Sequence, residues 1–147
     1  MFASIVVGTD GSQTAHEAVR QAVDLARRVG ARLEIVSAYE PVPDARMRAE
    51  PRQAPRVLQW EVNQREEVDA TLAEAAEVAR RGGVAARTYA RQGDPADAIL
   101  DVAEEQGADL IVVGNKGMTG ARRFLLGSVP SRVSHHAPCS VLIIRTS

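Results

Sequence analysis

Apolar positions along the chain fall into short unbroken runs and longer runs spaced by three and four, and the two kinds alternate. Ile5, Val6 and Val7 are β-branched and lead into Gly8-Thr9-Asp10-Gly11-Ser12, the pattern of a buried strand followed by a turn. Ala15, Ala18, Val19, Ala22, Leu25, Ala26 and Val29 then trace one helical stripe that Gly30 stops. Ser12 is one N-cap for this helix, and Thr14 with Glu17 has the spacing of a capping box, so two starts are open. Leu33, Ile35 and Val36 form a second strand ending near Ser37-Ala38-Tyr39. From about 56 to 81, Leu58, Val62, Val68, Leu72, Ala75, Ala76 and Ala79 predict a long amphipathic helix closed by Gly82-Gly83, with Trp60 packing along it. A weak strand over 85–90 follows.

Gly93-Asp94-Pro95 turns into a third helix, with Asp94 as N-cap and Pro95 first in the helix; Ala96, Ile99, Leu100 and Ala103 supply its inner face and Gly107 closes it. The run over 109–114 reads as a parallel strand covered on both faces. A glycine-rich segment over 114–127 leads to a short helix over 128–136 and a last strand over 140–144. The order β-α-β-α-β-α-β-α-β predicts an open five-stranded parallel sheet with helices on both faces, a Rossmann-like α/β sandwich forming one domain over 1–147. Residues 41–55 hold four of the seven prolines. A loop that long is either a functional lid or a disordered segment.

Composition narrows the classes. The chain of 147 residues carries 18 Lys+Arg against 19 Asp+Glu, a formal charge of −1, which gives broad attraction to nucleic acid or anionic membrane little to rest on. Five aromatic residues (Phe2, Tyr39, Trp60, Tyr89, Phe124) do not make a stacking platform for single strands. The lone Cys139 has no disulfide partner. The apolar runs are too short to span a bilayer, and the N-terminus lacks a basic leader, so neither membrane nor nucleic-acid partners are expected and the expected location is cytoplasmic. His135 and His136 are neighbours that point in different directions on a helix, and His16-Glu17 lacks the second histidine of a zinc motif, so no metal centre is read from the histidines.

Ligands of open α/β sheets sit outside the carboxyl ends of the strands. The richest such segment is 114–128, where Gly114 and Gly117 let a ligand approach and allow positive φ. Gly127-Ser128-Val129 offers amides and a hydroxyl at a helix start that favours phosphate, and Pro130 sits where no donor is needed. Lys116, Arg122 and Arg123 could offset polyphosphate charge, although charge runs are usually solvated faces. Gly120 serves the turn or the ligand, Ser128 caps its helix or meets the ligand, and Asp10 caps the first helix or meets the ligand or its Mg²⁺.

The spacing is neither a P-loop nor a dinucleotide fingerprint. Gly114-x-x-Gly117, nine residues, then Gly127-Ser128, together with the opening Ile5-Val6-Val7-Gly8-Thr9-Asp10-Gly11-Ser12 and the closing Ala137-Pro138-Cys139-Ser140-Val141-Leu142-Ile143-Ile144, resembles the universal stress protein family over the whole chain. The glycine pattern is similar to that of the subgroup binding ATP and other adenine nucleotides, including cyclic AMP. The resemblance implies that Thr9 and Asp10 border the nucleotide and that Ser37 and Ala38 edge the adenine pocket. It further implies that Gly114 and Gly117 face ribose and phosphate, and that Gly127, Ser128 and Val129 hold the phosphates. It also implies a homodimer paired through the last strand, an apolar sheet edge open to pairing.

The leading expectation is therefore a regulatory stress-response protein binding ATP or cyclic AMP. The rivals are a slow ATPase or self-phosphorylating protein with Ser128 or Thr119 as acceptor, and a dimeric interaction module independent of nucleotide. No catalytic residue is assigned, because the sequence offers no placed general base beyond Asp10.

Overall fold

The computed structural model describes residues 2–39, 54–115 and 126–146, with the backbone alone for 54–64. Its elements are β1 (Ser4–Gly8), α1 (Gln13–Val29), β2 (Arg32–Tyr39), α2 (Ala54–Arg81), β3 (Ala86–Gln92), α3 (Pro95–Glu105), β4 (Leu110–Gly114), α4 (Ser128–His136) and β5 (Ser140–Ile144). Among the described residues the five strands form one parallel sheet in the order β3-β2-β1-β4-β5. This is the expected Rossmann-like α/β architecture.

Alternation along the strands sorts the core into two layers. Ile5, Val7, Leu33, Ile35, Leu110 and Val112 face α1 and α2, where Val19 and Leu72 meet them. Val6, Val36, Ile111 and Val113 face α3 and α4, against Ile99, Val102 and Val133. The helices after β1 and β2 thus cover one face, and those after β3 and β4 the other.

The helix ends decide between the open alternatives. Ser12 is the N-cap of α1, its hydroxyl accepting from the Ala15 amide at 3.2 Å. The capping box does not form, because the Glu17 carboxylate is engaged with Arg20 and Gln21 on its own helix. Gly30 ends α1 in the left-handed region with φ 73°. Asp94 caps α3 through the Asp97 amide at 3.1 Å, with Pro95 in the first turn. Ala54 and Pro55, expected in the loop, instead open α2, since a proline in the first turn forfeits only an amide without a helical partner. The rest of the 41–55 segment lies outside the described residues, as do the side chains of Leu58, Trp60 and Val62.

Gly11 is fixed by more than its turn. Its φ is +83°, and a Cβ there would lie 2.8 Å from Thr71 Oγ1 on α2. Gly11→Ala is expected to destabilise the protein by about 1–3 kcal/mol, measured by urea unfolding, because an L side chain is strained at that φ.

At the opposite end of the sheet, Asp109 holds the entry to β1: its carboxylate accepts from the Ala3 amide at 2.9 and 3.2 Å and from the Ser4 amide at 3.1 Å. These bonds, that of Ala3 foremost, hold its pKa below the ordinary 3.8. A carboxylate with a lower pKa folded than unfolded contributes stability that is complete above the unfolded value and lost as pH falls through the folded one. Asp109→Asn is expected to flatten the fall of melting temperature with pH below about pH 4.

Candidate functional site

The sheet order makes β1 and β4 neighbours whose following helices leave to opposite faces, α1 to one and α4 to the other. Such a strand-order reversal opens a crevice at the carboxyl ends. Val7 pairs with Val112 and Gly8 with Val36. Carried one step further toward β2 and two toward β4, the register sets Thr9 level with Ser37 on one side and Gly114 on the other.

Five of the anticipated contact positions, Thr9, Asp10, Ser37, Ala38 and Gly114, thus gather at these strand ends. Thr9 is fully buried; its amide donates to the Val36 carbonyl at 2.9 Å and its hydroxyl accepts from the Gly11 amide at 3.2 Å. Asp10 is exposed and accepts from the Ser12 amide at 2.9 Å through one carboxylate oxygen. It shapes the turn rather than capping α1, because Ser12 holds the cap. Ser37 is buried, and Ala38 packs partly against the α3–α4 layer.

Gly114 closes β4 opposite Ile144 without using the positive φ that a glycine allows. A strand residue still paired on the sheet keeps an extended backbone. A Cβ on it would sit 3.5 Å from Thr146 Cγ2 and 3.8 Å from the Thr14 carbonyl oxygen. Lys116, Gly117, Thr119, Gly120, Arg122 and Arg123 lie outside the described residues.

The other wall is the start of α4. Gly127, at φ −60° and ψ 163°, is the N-cap and supplies no side-chain acceptor, so the cap that Ser128 was one candidate for belongs to its neighbour. The Gly127 amide does not point to a ligand: it donates to the Asn115 carbonyl at 3.0 Å. Pro130 has no amide, and the Ser131 amide closes the first helical turn on the Gly127 carbonyl at 3.0 Å. That leaves the Ser128 and Val129 amides without an acceptor among the described residues. Val129 is buried and anchors the turn, while Ser128 is exposed. Two amides at the start of a helix lie where the partial positive charge of the helix end favours an anion.

Asn115 was not singled out by spacing, yet it joins this wall to β5. Its amide donates to the Ile144 carbonyl at 2.8 Å, and its Oδ1 accepts from the amide and the hydroxyl of Thr146, each at 2.9 Å. A turn-forming residue after a strand is the only local signal of it.

On the α1 side of Gly114 lies a polar recess of ≈ 590 Å³, whose lining among the described residues includes Thr14, His16, Arg20 and Thr146 and none of the anticipated contacts. His135 and His136 are exposed. No cluster of three or more metal-ligating side chains occurs among the described residues. Burial pushes the Cys139 thiol pKa up, away from nucleophilic chemistry. No helix among the described residues is long and apolar enough to cross a membrane.

A family model described as the universal stress protein family matches residues 1–145. A universal stress protein of Thermus aquaticus is 38% identical over 145 residues, covering 99% of this chain and 100% of its own. A universal stress protein crystallised in complex with cAMP is 35% identical with a TM-score of 0.73, covering 99% of this chain and 98% of that one. The universal stress protein of Archaeoglobus fulgidus in complex with dAMP is 25% identical with a TM-score of 0.70, covering 97% and 98%. The chain belongs to the universal stress protein family.

Proposed function

We propose that this protein binds an adenine nucleotide, ATP or cyclic AMP, in the crevice between β1 and β4, and that the bound ligand regulates its associations in a stress response. The observation that carries the reading is the pair of Ser128 and Val129 amides that have no acceptor among the described residues, at a glycine-capped helix start. The phosphate accepts from these amides. The base lies toward Ala38, whose small side chain leaves room for a flat ring, and Asp10 has a carboxylate oxygen for the Mg²⁺ that accompanies ATP. The complexes of related proteins with cAMP and dAMP support an adenine ligand. Regulation requires that the ligand bind one conformation or assembly better than another.

Among the described residues β5 is an edge strand of the sheet, and this supports a homodimer, because Leu142 and Ile143 are exposed apolar residues on it and an apolar edge is a template for another strand. Light scattering at micromolar concentration is expected to report a dimer.

The test of the ligand is direct. Nucleotide released by acid from the purified protein is identified, and the stripped protein is titrated with ATP and with cyclic AMP by calorimetry. Binding of either supports the reading, and binding of neither at millimolar concentration removes it. Cyclic AMP carries a single negative charge, so a preference for it would mean that the cations of 116–123 contribute little.

A further inference from the structure

We propose that Asn115 is a positioning residue, which sets the anion-binding amides of α4 against the end of β5 and thereby couples nucleotide binding to the order of that strand. The inference rests on the nucleotide reading above and adds to it a residue and a route of regulation.

Three polar groups of Asn115 are engaged among the described residues. Its amide is held by the Ile144 carbonyl, the last residue of β5. Its Oδ1 takes two hydrogen bonds from Thr146, two residues beyond that strand. Its carbonyl takes the Gly127 amide. Gly127 immediately precedes Ser128 and Val129, so a displacement of Asn115 moves the two receptor amides with it. The Thr146 methyl lies in van der Waals range of a Cβ position on Gly114, which seats the clamp on the end of β4 as well.

One residue therefore ties together the strand that ends at the crevice, the helix start that meets the anion, and the exposed edge strand. A ligand that binds only when the amides are held must stabilise the clamp, and by reciprocity anything that orders the end of β5 must tighten the ligand. A second copy of the chain paired along β5 is such an influence.

The clamp is tested at Thr146, which is not among the anticipated contacts. Thr146→Val keeps the main-chain amide and the shape but removes the hydroxyl donor, and Thr146→Ser keeps the donor. ATP and cyclic AMP are titrated by calorimetry against the full chain and both variants, with unliganded melting temperature as the control for folding. Loss of one hydrogen bond in the clamp is expected to weaken binding about three- to tenfold in Thr146→Val, with Thr146→Ser within about twofold of the unsubstituted protein. Nucleotide is also expected to slow hydrogen exchange at the Asn115 and Thr146 amides.

Wild-type affinity in Thr146→Val overturns the coupling and leaves the nucleotide reading intact. Equal weakening in Thr146→Ser places the effect in packing and overturns it too. An unsubstituted protein that binds neither nucleotide overturns both.

Discussion

Ser128→Pro is expected to weaken nucleotide binding at least about tenfold, because a hydrogen bond to a charged group is worth about 1.5–3 kcal/mol. The substitution deletes one of the two receptor amides and little else. Ser128 is the first residue of α4, where proline is favoured since its fixed φ suits the helix and the missing N–H had no helical partner. Gly127 before it stands at ψ 163°, within the extended region that a following proline demands. Melting temperature should therefore hold while affinity falls. Ser128→Ala separates the hydroxyl from the amide: it keeps the N–H, and its binding should stay close to that of the unsubstituted protein. If Ser128→Pro binds as tightly as Ser128→Ala, the amide does not meet the phosphate, and the receptor at α4 loses its basis.

That experiment bears on how the site could be read from sequence. Spacing placed Gly127 at a helix start because Pro130 and the flanking apolar residues make a local pattern, and a local pattern survives in one dimension. The same holds for Asp94 with Pro95 and for Gly30, whose cap geometries follow from neighbouring residues. The use of the Gly127 amide on Asn115, the contact of Gly11 with Thr71, and the grip of Thr146 on Asn115 depend on which segments meet across the sheet. Nothing in nearest-neighbour chemistry encodes those meetings.

β3 shows the same limit from another side. Its weak strand pattern reflects a position at the sheet edge, where Arg87 and Arg91 take places that apolar residues hold in the central strands. Charged side chains suit an edge because they discourage pairing with another chain. They also blur the periodicity by which a strand is recognised, so the segment is legible only once its place in the sheet is known.

The second large effect comes from that edge. Arg87→Met is expected to lower the melting temperature by about 5–10 °C, whereas Glu34→Met should leave it level or raise it. Glu34 is fully buried on β2, next to Arg87 in the strand register. Its Oε1 accepts from Arg87 at 2.6 and 3.2 Å and from the Tyr89 hydroxyl at 3.4 Å, and Arg32 stands 3.8 Å away. Its Oε2 is buried without a hydrogen-bond partner. Burial, with the Glu34 charge adding to it, pushes the Tyr89 pKa up, so that the phenol stays protonated and able to donate.

The two partners are unequal. The Arg87 side chain is 59% exposed and that of Arg32 49%, while that of Glu34 is not exposed at all. Without Glu34 both arginines turn to water at little cost, and the unpaired Oε2 disappears with the carboxylate. Without Arg87 a buried anion keeps only the phenol and a more distant guanidinium, and desolvation is no longer offset. The double substitution Glu34→Met with Arg87→Met should consequently be more stable than Arg87→Met alone, a non-additivity expected of groups in direct contact. Equal losses from the two single substitutions, summing in the double, would mean that the carboxylate does not depend on Arg87 and that the pair is not what holds β3 to β2.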